Sequence, residues 1–359
     1  MEYITVKELF KITKGKKVEE IDYENENSIR YIQIDDLRNN NNIKHCENIN
    51  KYVIAKKEDI IIAWDGANAG TIGFGVEGAI GSTLAILRKE NKEMDTEFCG
   101  LFLRSKSAYL REKCTGATIP HIQRTALEDI KIPKISLNKQ IEIKNIINKA
   151  QELIDKRKEQ IEALDELVKS KFIEMFGDPI LNKKGWEVKR LGEVCEMKAG
   201  KNIKAADIYP ENIGELYPCY GGNGLRGYVK EYSHDGNIPL IGRQGALCGN
   251  VKYAQGKFYA TEHAVVTQPK IEMNSYWLYF ILEQLDLNRL STGAAQPGLT
   301  VGKLNEVELP ISPIELQNKF EEFALQVDKL KFEMEKSLKE LEYNFNSLMQ
   351  KAFKGELFN

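Results

Sequence analysis

The chain is written twice. Thr115-Gly116-Ala117-Thr118-Ile119-Pro120 returns as Thr292-Gly293-Ala294-Ala295-Gln296-Pro297, and the match continues through Leu127/Leu304, Pro133/Pro310 and Gln140/Gln317, each pair 177 positions apart. A constant offset over that stretch leaves no room for an insertion, so the two halves should fold alike and be related by a pseudo-twofold. Weaker echoes extend the repeat at slightly different offsets, which belong in loops. Gly66-Ala67-x-x-Gly70 after Ile60-Ile61-Ile62 returns as Gly245-Ala246-x-x-Gly249 after Pro239-Leu240-Ile241, and Glu8-Leu9 and Gly15-Lys16 return as Glu193-Val194 and Gly200-Lys201.

Each half opens with a mixed strand-and-loop region and closes in a long periodic tract. In the first tract Ile143, Ile147, Ala150, Ile154, Arg157, Ile161, Leu164, Val168, Lys171 and Met175 step alternately by four and three, the seam of a coiled-coil helix. The second repeats those steps in phase at Phe320, Ala324, Val327, Lys331, Met334, Leu338, Leu341, Phe345, Leu348 and Ala352. Arg157 matches Met334 in the repeat, and Ile154 matches Lys331, so apolar and charged positions alternate between the copies. The two helices are therefore expected to pair with each other. A globule lies between them in the chain, so the simplest path is antiparallel, although parallel pairing also satisfies the spacing. The expected fold is α+β, with two similar mixed α/β domains at 1–136 and 179–312 and long helices over 137–178 and 313–359.

With 42% hydrophobic residues, 359 residues suffice for two ordinary cores and a helical rod. No segment is apolar enough for a membrane span, and Met1-Glu2-Tyr3 opens with no signal peptide, so a soluble cytoplasmic protein is expected. The six cysteines lie at unrelated spacings without CxxC, which favours structural thiols over disulfides or zinc. The net charge of −2 counts mildly against phosphate binding. Yet Lys11, Lys14, Lys16 and Lys17 gather in the first copy, and Lys198, Lys201 and Lys204 gather at the matching place in the second.

Catalytic motifs are missing. There is no phosphate loop, no dinucleotide fingerprint and no HExxH, and the four histidines, His45, His121, His234 and His263, are not spaced as metal ligands. Asp178-Pro179 followed by Glu187-Val188-Lys189 imitates a nuclease magnesium site. It falls where Gly177 reads as a helix stop and Pro179 as a linker. The glycine-rich stretches Trp64-Asp65-Gly66-Ala67-Asn68-Ala69-Gly70 and Tyr220-Gly221-Gly222-Asn223-Gly224 fit bare turns, or turns that let backbone approach a ligand.

The order globule, heptad helix, globule, heptad helix resembles the specificity subunit of type I restriction-modification systems. Local phrases carry the same likeness: Asp59-Ile60-Ile61-Ile62-Ala63-Trp64-Asp65-Gly66, Tyr220-Gly221-Gly222-Asn223-Gly224, Phe172-Ile173-Glu174-Met175-Phe176-Gly177-Asp178-Pro179 and Lys354-Gly355-Glu356-Leu357. The resemblance covers essentially the whole chain. It implies two target recognition domains, each reading one half of an asymmetric bipartite site in double-stranded DNA, with the helices setting the unread gap. It also implies two adenine-methyltransferase subunits carrying S-adenosylmethionine, and two restriction and translocation subunits carrying ATP and magnesium. This chain itself would bind no cofactor and no metal and would have no catalytic residue. A helix of about 60 Å spans at most about eighteen base pairs, which suits such a ruler.

The DNA contacts expected in the first globule are Lys14, Lys16, Trp64, Asp65, Asn68, His121, Gln123 and Arg124. In the second they are Lys201, Asn202, Asn223, Arg226, Arg243, Gln244 and Gln296. Lysines would hold phosphates, while amides and arginines read bases. Trp64 also suits a core, and His121 a turn after Pro120. Two other classes of function remain open from the residues: a coiled-coil adaptor with two protein-binding heads, and a magnesium nuclease using Asp178 and Glu187.

Overall fold

The computed structural model describes residues 2–22, 24–90, 93–116, 118–245, 247–292, 297–354 and 356–357. The chain divides into two compact units, Met1–Lys158 with Lys336–Asn359, and Glu159–Glu335. The division therefore falls inside both long helices, whereas the sequence boundaries separate helix from globule.

The first unit is built on a four-stranded antiparallel sheet in the order Phe10–Lys14, Leu84–Lys89, Ile60–Ala63, Ile72–Phe74. Ile60, Ile61, Ile62 and Ala63 are all fully buried, because both faces of that strand are covered. One face carries the helix Thr96–Ser105, whose Phe98, Phe102 and Leu103 enter the main core. The other faces a five-stranded sheet ordered Glu20–Ile21, Lys44–Glu47, Ser28–Ile32, Gly78–Ile80, Ile54–Ala55. Its central pairing, Tyr31 opposite Ala79, is parallel.

The second unit repeats the first sheet strand for strand: Cys195–Ala199, Ala264–Pro269, Ile238–Gly242, Val251–Ala254. Helix Ser275–Gln284 covers it with a fully buried Trp277. The neighbouring sheet has four strands, ordered Gly224–Val229, Tyr217–Gly221, Lys257–Ala260, His234–Asp235. Again one pairing, Cys219 opposite Tyr259, is parallel.

The repeated glutamines explain themselves here. Gln140, fully buried, accepts from Asp95 N at 2.7 Å and donates to Ile135 O at 2.7 Å. Asp95 in turn caps the helix Thr96–Ser105. Gln317 does the same work, accepting from Asn274 N at 2.9 Å and donating to Ser312 O at 2.7 Å, with Asn274 capping Ser275–Gln284.

The long helices are Leu137–Phe176 and Ile314–Lys354. Within the first unit Ile143 and Ile147 share a core with Met349, Ala352 and Phe353, and Lys158 Nζ lies 3.3 Å from Glu342. Within the second, Leu164, Val168 and Phe172 share a core with Phe320, Ala324 and Val327. Lys331 Nζ there meets Asp165 at 2.6 Å, so an acid answers the charged position of the second seam. In both units numbers rise along one helix as they fall along the other, so the pairing is antiparallel.

The end of the expected seam is corrected. Lys171 and Met175 are only partly buried, and Phe172 and Phe176 take the core positions instead. From Val168 onward the buried residues step by four, so the buried stripe leaves the heptad seam and turns around the helix. The cause is what lies opposite: Phe172 packs against Phe176, Phe280 and Phe320 with ring centroids 4.9 to 5.3 Å apart, so the helix is docking on its globule as well as on another helix.

Candidate nucleic-acid interface

The two phrases that mark the repeat lie against each other in both units. In the first, strand Ile60–Ala63 runs into a turn whose Gly66 and Gly70 have φ of +96° and +87°, left-handed values that favour glycine. Gly66 N donates to Pro120 O at 2.9 Å, tying that turn to the loop in which Thr115 and His121 exchange backbone bonds. In the second, Gly245 and Gly249 have φ of +85° and +89°, Gly245 N donates to Pro297 O at 2.9 Å, and Thr292 pairs with Gly298. The same scaffold thus holds Trp64-Asp65 in one unit and Arg243-Gln244 in the other.

In the first unit the side chains draw together around Asp65. Its carboxylate lies 2.7 Å from Lys14 Nζ and 3.1 Å from His121 Nδ1. Asn68, on the same turn, accepts from Arg38 at 2.7 Å, so Arg38 joins a site from which sequence reasoning omitted it. Trp64 is half-buried and packs against the main core, and Lys16 and Gln123 are exposed. Arg124 is engaged by Glu128 at 2.7 Å on its own short helix. Of the first basic cluster, Lys11 and Lys14 lie on the strand Phe10–Lys14 and Lys16 and Lys17 follow it.

The second unit holds an open cleft of about 420 Å³ lined by residues 221–226, Gln244, Gly245 and His263. Asn223, Arg226 and Gln244 therefore share one site, with Asn223 accepting from Asn250 Nδ2 at 3.0 Å. Arg243 adjoins it, its backbone N bonded to His263 O at 3.0 Å. Lys201 and Asn202 are exposed to one side, where Tyr259 Oη donates to Asn202 O at 3.3 Å. Gln296 lies outside the described residues. Burial, and secondly the Lys201 charge, hold the His234 imidazole below its ordinary value. Sequence reasoning missed His263 as a cleft residue, together with Asn250 and Glu262, which contact the cleft residues Asn223 and His263. His263 has no metal-ligand spacing, and nothing local marks a strand end that the fold brings to a cleft.

The nuclease-like acids are used otherwise. Asp178 Oδ1 accepts from Ile180 N and Leu181 N at 2.8 and 3.0 Å, while Glu187 lies on the strand Glu187–Arg190 beside Lys189. Gly177 ends the helix with φ of +79°. No group of three acidic, histidine or cysteine side chains is placed to hold a metal among the described residues. The cysteines are free, and burial pushes the Cys99 and Cys195 thiols up to about 12, so they stay protonated. No described helix is long and apolar enough to cross a membrane.

A family model described as the type I restriction modification DNA specificity domain matches residues 1–163 and again 183–343. The chain is 38% identical over 235 residues to the EcoprrI specificity subunit of Escherichia coli, spanning 62% of this chain and 58% of that relative. It is 25% identical over 394 residues to the MjaVIII specificity subunit of Methanocaldococcus jannaschii, covering 99% and 92%. Two solved structures share the fold. The S subunit of a type I restriction-modification system from M. genitalium superposes with a TM-score of 0.61 at 20% identity, covering 98% of this chain and 96% of that one. A chain from a study of complex assembly and conformational transition of the type I R-M system superposes with 0.64 at 17% identity, covering 99% and 98%.

Proposed function

The chain belongs to the type I restriction-modification DNA specificity family, and from that premise we propose that it selects the DNA sequence on which a type I complex acts. Each globule reads one half of an asymmetric, bipartite target, and the paired helices set the unread gap and dock adenine-methyltransferase subunits. The chain contributes recognition and no chemistry of its own. Methyl transfer uses S-adenosylmethionine held by the partner, and restriction adds translocating subunits that use ATP and magnesium. The complex works in the cytoplasm.

One observation carries this reading. The family match falls once on each half, and the same scaffold there presents different side chains, Trp64-Asp65 against Arg243-Gln244. Two copies of one frame with unlike reading surfaces suit a target whose halves differ. Exposed Lys16 and Lys201 suit phosphates, and the amides and arginines of the cleft suit base edges.

The test is co-expression with the cognate methyltransferase followed by single-molecule sequencing of modified adenines. A split, asymmetric motif that vanishes when this chain is omitted is the expected result. Modification that is independent of the chain would defeat the reading.

A further inference from the structure

Beside the second cleft, where His263 lines it, a cluster of hydrogen-bonding groups is unfilled. Among the described residues, Arg243 Nε, Thr261 Oγ1, Glu262 Oε2 and His263 Nδ1 are shielded from solvent and have no partner. All four belong to two adjacent backbone runs, joined by the bond from Arg243 N to His263 O. Glu262 Oε1 is 3.2 Å from His263 Nε2, so the imidazole engages one carboxylate oxygen and leaves the other open. Arg243 forms no ion pair among the described residues, although an acid lies on the neighbouring run.

Stranded buried donors and acceptors are costly, and their concentration at a cleft points to a ligand that completes them. The charges say which part of DNA that is. A carboxylate repels phosphate, so Glu262 is no backbone contact. What it accepts from is an amino group on a base edge. A C·G pair presents in the major groove one amino donor, cytosine N4, directly beside the two acceptors of guanine, O6 and N7. An arginine fork and a carboxylate carried on two neighbouring backbone runs match that row. At an A·T pair the amino group lies between two acceptors, and the fork has no adjacent pair to grip.

We propose that Glu262 and Arg243 are the specificity-determining pair of the second globule, reading one C·G base pair: Glu262 accepts from the cytosine amino group and Arg243 donates to guanine. The proposal rests on the DNA-reading function above. The first globule differs at the same place. Leu84 N donates to Gly81 O and Ala264 N to Thr261 O, both at 3.0 Å, which aligns Ser82 with Glu262. The acid that the first unit does hold, Asp65, is occupied by Lys14 and His121. The two half-sites therefore differ at this base pair.

The test starts from the methylation map of the wild-type chain with its methyltransferase. Absence of a split motif there would sink the DNA-reading function itself and not this assignment. Given the motif, Glu262→Gln is expected to lower discrimination at one C·G position roughly tenfold, the scale of one lost base contact, with the other half-site unchanged. Arg243→Ala should relax that same base pair. Should either variant fail to accumulate, Glu262→Asp and Arg243→Lys ask the same question with charge retained. An unaltered motif with uniformly weaker modification, or two variants that relax different positions, overturns the assignment.

Discussion

In each globule one sheet is repeated and the sheet beside it is not. Phe10–Lys14, Leu84–Lys89, Ile60–Ala63 and Ile72–Phe74 have the same order as Cys195–Ala199, Ala264–Pro269, Ile238–Gly242 and Val251–Ala254. The neighbouring sheets differ, five strands in one unit and four in the other, and share a single parallel pairing each. The side chains at the repeated turns have diverged as well. Around Asp65 the charges satisfy one another, while the Glu262 corner keeps acceptors and donors open. A chain of this kind keeps its frame by repeating the contacts that are costly to lose, and varies what faces outward, where substitution costs little stability.

The comparison breaks most readily in the core. Phe172→Ala removes a fully buried ring from a cluster with Phe176, Phe280 and Phe320 and should cost the second unit about 3–5 kcal/mol in chemical denaturation. A loss below about 1 kcal/mol would mean that the helix does not form part of that core. Next come the matched glutamines. Gln140→Ala and Gln317→Ala each strand a backbone N–H and a carbonyl, and should lower stability by similar amounts, about 1–3 kcal/mol. Strongly unequal losses would show that the two frames are not one device used twice.

The reading surfaces should behave unequally. Arg226→Ala, at the mouth of the second cleft, should cost about 1–3 kcal/mol in DNA affinity and relax one base, whereas Lys16→Ala should weaken all sequences alike and flatten the salt dependence. A uniform loss for Arg226 would make it a phosphate contact. A smaller effect distinguishes the second unit in acid. His234, stacked on Phe258, has its folded value depressed from 6.5, so below that pH the unfolded chain takes up the proton first. Stability is then full above 6.5 and declines as pH falls through the window beneath it. His234→Gln should flatten that slope in pH-dependent denaturation, and an unchanged slope would clear His234 of the role. The smallest effect is expected at Lys331→Met, since Asp165 is half-exposed and such pairs contribute at most about 1 kcal/mol.

Much of the frame is legible in the sequence because it is periodic. The constant offset of Pro120 and Pro297 reflects a bond that each proline carbonyl makes to a glycine turn, and Gln140 and Gln317 recur because each holds a helix cap. The helices are readable for the same reason, up to Val168, where packing on a globule is added to packing on a helix and Phe172 displaces Lys171. The second sheets are not readable. Strands such as Glu20–Ile21 and Ile54–Ala55 are too short to show a period, and a parallel pairing is set by tertiary contacts. The cleft residues Asn223, Arg226 and Gln244 were reachable through glycine-rich turns, whereas Arg38, Asn250 and Glu262 come from other segments and carry no local signal.

The most direct test exchanges the segment between two matched joints, which carries the unshared sheet together with two strands of the shared one, and keeps the rest of the frame. Residues 200–263 would be replaced by residues 15–83, with joints at matched positions where Gly15 N bonds to Leu84 O at 2.8 Å and Gly200 N to Ala264 O at 3.0 Å. The methylation map of that chimera, co-expressed with the methyltransferase, should contain the first globule's half-sequence twice. Persistence of the original second half-sequence would contradict the claim that each globule reads its half through this segment.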